Sequence, residues 1–261
     1  MSFKAPKDCV DTIGIIGCSK ADLAWPKLLA LGFLAGAFIA FGGLLAIIVG
    51  GGVPGIKADN PGLQKFIFGG VFPVGLILVV IGGAELFTGN AACLIPAVLS
   101  KKTSWRACIR NWAGTYVSNF AGSLFVAFFL AYLTGLVSKS PWLDSTKAIA
   151  VAKVSQGFWP LFFKGIGCNW LVCLSVWVAV SSDNIIGKIW GIWFPIMAFV
   201  TLGFEHSIAN MFFIPLGILY GAQVTWGQFL AVNLIPVTLG NIIGGAFFVG
   251  AVYWYVYVRE D

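Results

Sequence analysis

From Leu28 to Ile56 the chain runs without one acidic or basic side chain, with Lys27 and Lys57 at its ends. About 20 consecutive apolar residues are enough to cross the hydrocarbon core of a bilayer, so this run reads as a transmembrane helix. A second such run covers 111–138, between Arg110 and Lys139. A third covers 165–182 and extends past Lys164 to Phe158, and a fourth lies near 226–256. The composition agrees: 59% hydrophobic residues, 10% charged and a mean hydropathy of +0.93, against about 25% charged in soluble domains. No polar stretch is long enough to build a soluble catalytic domain. The net charge of +6 is scattered over short loops with no basic run among aromatics, so nucleic acid is not an expected partner.

Two further regions are apolar but interrupted. Residues 66–84 end at Glu85, and 86–100 then run to Lys101; residues 189–204 end at Glu205, and 206–215 run to Pro215. Each reads as one crossing broken in its middle. That makes six crossings, the second and fifth broken. The expected organisation is an N-terminal segment 1–26, a transmembrane body 27–257 and a tail 258–261. The face holding both termini and the 101–110 and 181–188 loops carries ten Lys/Arg against five on the other. The positive-inside rule then puts both termini in the cytoplasm. The mixed-charge residues 1–26 do not read as a cleavable signal and are expected to form a cytoplasmic surface helix.

The breaks repeat one another. GAELFTGN (83–90) and GFEHSIAN (203–210) share Gly83/Gly203, Glu85/Glu205 and Asn90/Asn210 at the same offsets. Asn111, Asn119 and Gly122 recur as Asn233, Asn241 and Gly244. The chain is therefore expected to be two halves of three crossings, 27–138 and 147–257. An odd number of crossings per half forces the halves to insert in opposite senses, the signature of transporters with paired discontinuous helices. Irregular backbone at membrane depth needs a protein or water-filled surround. Two half-helices starting there would turn positive dipole ends into one cavity, which favours a small anion.

Few residues at that depth carry chemistry. His206 is the only histidine and could donate a hydrogen bond or a proton near neutral pH. Thr88 offers a hydroxyl at the first break. Glu85 and Glu205 are the only acids at membrane depth; a free carboxylate would repel an anion, so they are expected to pin the breaks, with Asn90 and Asn210. The six cysteines form no CxxC pair, and with one histidine neither a metal site nor a cofactor is expected.

ELFTGN (85–90), FFKGIGCNWLVCL (162–174), GFEHSIANM (203–211) and NLIPVTLGNIIGG (233–245) resemble the signatures of the formate/nitrite transporter family, in order along nearly the whole chain. The resemblance implies an all-α membrane protein, a homopentamer of aquaporin-like six-helix protomers in the cell membrane, each with its own pore for small monovalent anions or their acids. By position it implies pore contacts from Thr88, His206, Asn169 and the vestibule lysine Lys153. It further implies one apolar constriction of Leu76, Leu86, Phe87 and Val172 and another of Phe72 and Phe199. On this reading Lys153 concentrates the anion, which crosses the apolar slits with a proton; Lys164 is a possible helper. Formate is the preferred substrate, with nitrite, then hydrosulfide or lactate, as family alternatives. A neutral-solute pore would need paired NPA boxes and a selectivity arginine, and a membrane enzyme a nucleophile–base set; neither is present.

Overall fold

Proline opens several of the helices and glycine lets them touch. The computed structural model describes residues 3–259, and among them six helices are long and apolar enough to cross a membrane. The chain begins with α1 (Pro6–Ala21) and α2 (Trp25–Gly50), each with proline in its first turn, where the missing N–H costs nothing. A short α3 (Pro54–Asp59) leads to α4 (Pro61–Val71) and α5 (Val74–Ile81), which together make the second span. After a non-helical link, α6 (Phe87–Leu99) continues as a half-helix. The third span, α7 (Trp105–Tyr132), widens into π turns from Val126 onward.

The second half follows the same order. A leading helix α8 (Trp142–Val154) precedes the span α9 (Phe158–Ser181). The broken pair is α10 (Ile185–Leu202) and the half-helix α11 (Ser207–Leu219), and α12 (Gln228–Tyr257) closes the chain with two π stretches. The two three-span halves carry one break each, at 82–86 and 203–206, as their sequences require. Gly83 and Gly203 both take left-handed backbone, at φ 73° and 76°, which glycine adopts without the Cβ penalty.

Small residues hold the spans together. A Cβ at Gly36 would run into the carbonyl of Asn119, and one at Gly122 into that of Phe33, so α2 and α7 cross in backbone contact. Gly240 against Phe162 and Gly244 against Ile166 do the same for α9 and α12. Close backbone approach at small residues is how membrane helices gain packing energy without a hydrophobic drive.

Residues 6–21 form the helix expected there, exposed along one face and docked along the other. Cys9, Val10, Ile13, Gly14, Gly17 and Ala21 are buried, and a Cβ at Gly17 would meet the carbonyl of Cys93 on α6. The mixed charge along this segment hid an apolar face that docks on the first half-helix.

Candidate pore at two mirrored breaks

Each break is built from one glutamate, three asparagines and one lysine. In the first, Asn90 Nδ2 donates to Glu85 Oε2 (2.7 Å) and to Asn111 Oδ1 (2.9 Å). Asn111 donates in turn to the Lys20 carbonyl (2.9 Å), and the Lys20 ammonium reaches Glu85 Oε1 at 2.7 Å. Asn119 clamps the link: its amide donates to the carbonyls of Gly32 (2.7 Å) and Glu85 (2.9 Å), while its oxygen accepts from the Phe87 N–H (2.9 Å). The second break repeats this bond for bond. Asn210 donates to Glu205 (2.7 Å) and Asn233 (2.8 Å), and Asn233 to the Lys153 carbonyl (2.7 Å). Lys153 meets Glu205 at 2.9 Å. Asn241 bonds the carbonyls of Gly165 (2.8 Å) and Glu205 (3.0 Å) and the Ser207 N–H (2.8 Å).

This satisfies groups that a broken helix would leave orphaned. Buried backbone polar groups without partners are costly, and a buried charge needs both a counter-charge and hydrogen bonds. Glu85 and Glu205 are almost fully buried, and each receives a lysine and an asparagine. The carboxylates are thus neutralised and held by protein partners rather than left as free charges.

The two half-helices meet through Thr88 and His206. Thr88 Oγ1 lies 2.9 Å from His206 Nε2. His206 caps α11, its Nδ1 accepting the Ala209 N–H at 3.0 Å. Since Nδ1 acts as acceptor, the proton of the neutral ring sits on Nε2, which donates to Thr88. The threonine hydroxyl hydrogen then has no partner among the described residues. Behind it, the Thr88 carbonyl accepts from Asn169 (3.0 Å) and from the Cys173 thiol (3.3 Å).

Two cavities flank this pair. One, of about 400 Å³, is lined by Lys20, Glu85, Leu76, Leu86, Gly89 and Cys93 among others. The other, of about 170 Å³, is lined by Lys153, Glu205, His206, Phe72, Phe199 and Phe213 among others. Phe72 and Phe199 meet edge-on at 5.9 Å, and the His206 ring stacks 5.9 Å from Phe199. The Lys153 ammonium lies 5.6 Å from the Phe213 ring centre. Thr88 lines neither cavity and lies between them, fully buried.

Most of the anticipated residues gather here, with differences. Leu76 and Leu86 share the first cavity, and Phe72 and Phe199 the second. Asn169 lies behind the Thr88 carbonyl and lines neither cavity, and its Oδ1 lacks a protein partner. Val172 is buried one turn along α9, also outside both linings. Phe87 is corrected. Its ring sits 4.9 Å from Tyr116, edge-on, and lines an apolar groove between α7 and α12 instead of the Leu76/Leu86 cavity. The physical reason is local: Leu86 is the extended residue before α6 (φ −98°, ψ 122°) and Phe87 the first helical one, so the chain turns between them and their side chains take different faces. Lys164 is occupied elsewhere, bonded to Gln156 at 2.6 Å.

Lys20 was not anticipated. Its signal exists in the sequence: it stands twelve residues before Gly32, as Lys153 stands twelve before Gly165. Those glycines offer their carbonyls to the matched asparagines Asn119 and Asn241.

The model of the formate/nitrite transporter family matches residues 7–255. The chain belongs to this family. A probable formate transporter of Methanothermobacter thermautotrophicus is 53% identical, with 99% of each chain covered. Among solved structures, an FNT family ion channel superposes with a TM-score of 0.86 at 30% identity, covering 95% of this chain and 98% of that one. A pentameric formate channel with formate bound gives 0.78 at 34% identity, covering 90% and 98%. The transporter family and the inverted pair of three-span halves account for a chain with two broken helices.

Proposed function

We propose that this chain forms a homopentameric formate channel of the cell membrane, with both termini cytoplasmic and one pore through each protomer. The observation that carries the reading is the Thr88–His206 bridge between two cavities, where both half-helices begin. Helix N-termini present free N–H groups and a positive dipole end, and the Thr88 hydroxyl, whose hydrogen the bridge to His206 leaves unused, adds a donor. A carboxylate or carboxylic acid small enough to reach them finds donors on both sides. Phe72 with Phe199, and Leu76 with Leu86, are the apolar constrictions before and after this point; Val172 and Asn169 back the centre from α9. The names of the relative and of the pentameric neighbour support formate and the pentamer.

In this arrangement His206 acts as a hydrogen-bond donor. A second proton on the ring would have to displace the Ala209 N–H from Nδ1, so the resting histidine is neutral. The proton that accompanies formate through the apolar slits, where a bare anion is costly, comes from bulk water. Proteoliposome uptake of labelled formate, nitrite and glycerol tests the reading. Formate uptake above empty vesicles, lost in His206→Phe and in Thr88→Val, is the expected result. Glycerol uptake without formate uptake would overturn it, and faster nitrite than formate would move the assignment within the family.

A further inference from the structure

The lysines that line the two inner cavities are not free charges. Lys153 is held by Glu205 at 2.9 Å and Lys20 by Glu85 at 2.7 Å, so at a distance each pair is close to neutral. A distant anion is drawn only by charge that is not compensated nearby. Such charge stands one step further out. A third cavity, of about 330 Å³, is lined by Lys57, Lys65, Gln64 and Ser145, with Phe68, Ile149 and Val200 completing its wall. Phe68, Ile149 and Val200 also line the Lys153 cavity, so the two spaces adjoin and narrow in the manner of a funnel, from about 330 Å³ to about 170 Å³. Neither Lys57 nor Lys65 makes an ion pair among the described residues. The acids nearest in sequence are Asp59 on α3 and Asp144 on α8; both are exposed and neither lines the funnel. The cavity at the opposite end contains no ionisable side chain other than the paired Lys20 and Glu85 and the thiol of Cys93.

We propose that Lys57 and Lys65 form an outer anion-collecting site at the wide end of the funnel. It gathers small monovalent carboxylates and similar oxyanions and passes them to the Lys153 cavity. The inference rests on the anion-channel reading above. Two like charges over low-dielectric walls focus field lines into the mouth, while the Gln64 and Ser145 side chains supply neutral polar groups. The site acts on the anion, not on the neutral acid, and so at the stage before any proton is taken up. The linings at the two ends therefore differ: one carries two lysines without an ion pair among the described residues, the other a lysine paired with a glutamate.

The test compares labelled formate uptake by wild type, Lys57→Gln/Lys65→Gln and Lys57→Arg/Lys65→Arg in proteoliposomes of neutral lipid. Formate is kept below half-saturation, and the ionic strength is low or raised with potassium chloride, osmotically balanced. At low ionic strength the glutamine pair is expected to fall by about three- to tenfold while the arginine pair keeps wild-type flux. At about 0.5 M salt, where the screening length is a few ångström, all three should converge. Equal flux for the glutamine pair and wild type at low salt would overturn the proposal. So would a deficit that persists at high salt, which marks damage to the fold rather than a lost field. Running the same comparison with nitrite separates the two levels: a wild type that carries nitrite but not formate sinks only the formate assignment, and the salt-dependent difference is then read on nitrite.

Discussion

Asn119 and Asn241 each use both ends of one amide to hold a chain that has left its helix, and the glutamates beside them depend on such bonds. Glu205 is the most exacting case. It is buried with Lys153 and Asn210 as its partners. Glu205→Gln would leave the Lys153 ammonium buried without a counter-charge, a loss of about 3–5 kcal/mol for pairs of this kind. The variant should unfold at lower temperature in detergent. Lys153→Met/Glu205→Gln removes both charges and should recover much of that loss, since apolar replacement of a buried pair is often near neutral. A double variant as unstable as the single one would show that Glu205 works mainly through Asn210. At the centre, Thr88→Val keeps shape but leaves His206 Nε2–H without its acceptor, which costs about 1–3 kcal/mol for a buried donor. Formate uptake should fall to background in Thr88→Val and persist in part in Thr88→Ser, which keeps the hydroxyl; equal uptake by the two would remove the hydroxyl from the pore.

At the scale of elements, the spans, the breaks and their pairing were legible because each leaves a mark that does not depend on contacts: uncharged length, an acid at mid-depth, a repeated Gly–Glu–Asn spacing. What was not legible depends on how helices turn and dock. Phe87 follows Leu86 directly, and only the start of α6 at Phe87 decides that its ring leaves the cavity for Tyr116. Lys20 was hidden because the halves drift in register. Glu85 and Glu205 are 120 residues apart, whereas Lys20 and Lys153 are 133 apart, so a single offset cannot align both. The docking of α1 was hidden for another reason: charges interrupt its apolar face, and its closest seat on α6 is a glycine contact, Gly17 on the Cys93 carbonyl. Gly17→Val should force α1 away from α6, with an overpacking cost of about 1–3 kcal/mol. Limited proteolysis should then cut between α1 and α2 faster than in wild type. Gly55, with open space around it, is the control, and Gly55→Ala should change nothing; equal cleavage in the Gly17 variant and this control would mean that α1 does not depend on that contact.

For the whole molecule, the proposed passage can be traced through side chains of one chain. Both glutamate–lysine clusters, the Thr88–His206 bridge and both flanking cavities come from a single protomer. In a pentamer built from such chains, the pores should act independently. Mixing tests this directly. Wild-type chains co-expressed with an inactive His206→Phe chain would assemble at random, and formate flux per chain should then fall in proportion to the wild-type fraction. A steep fall, in which one inactive chain silences its neighbours, would require a passage shared between subunits or a motion made in concert. The apolar groove between α7 and α12 is a place where such coupling would act, because Phe87 lines that groove and also begins the half-helix that presents Thr88. A linear result would mean that whatever fills the groove leaves Thr88 in place.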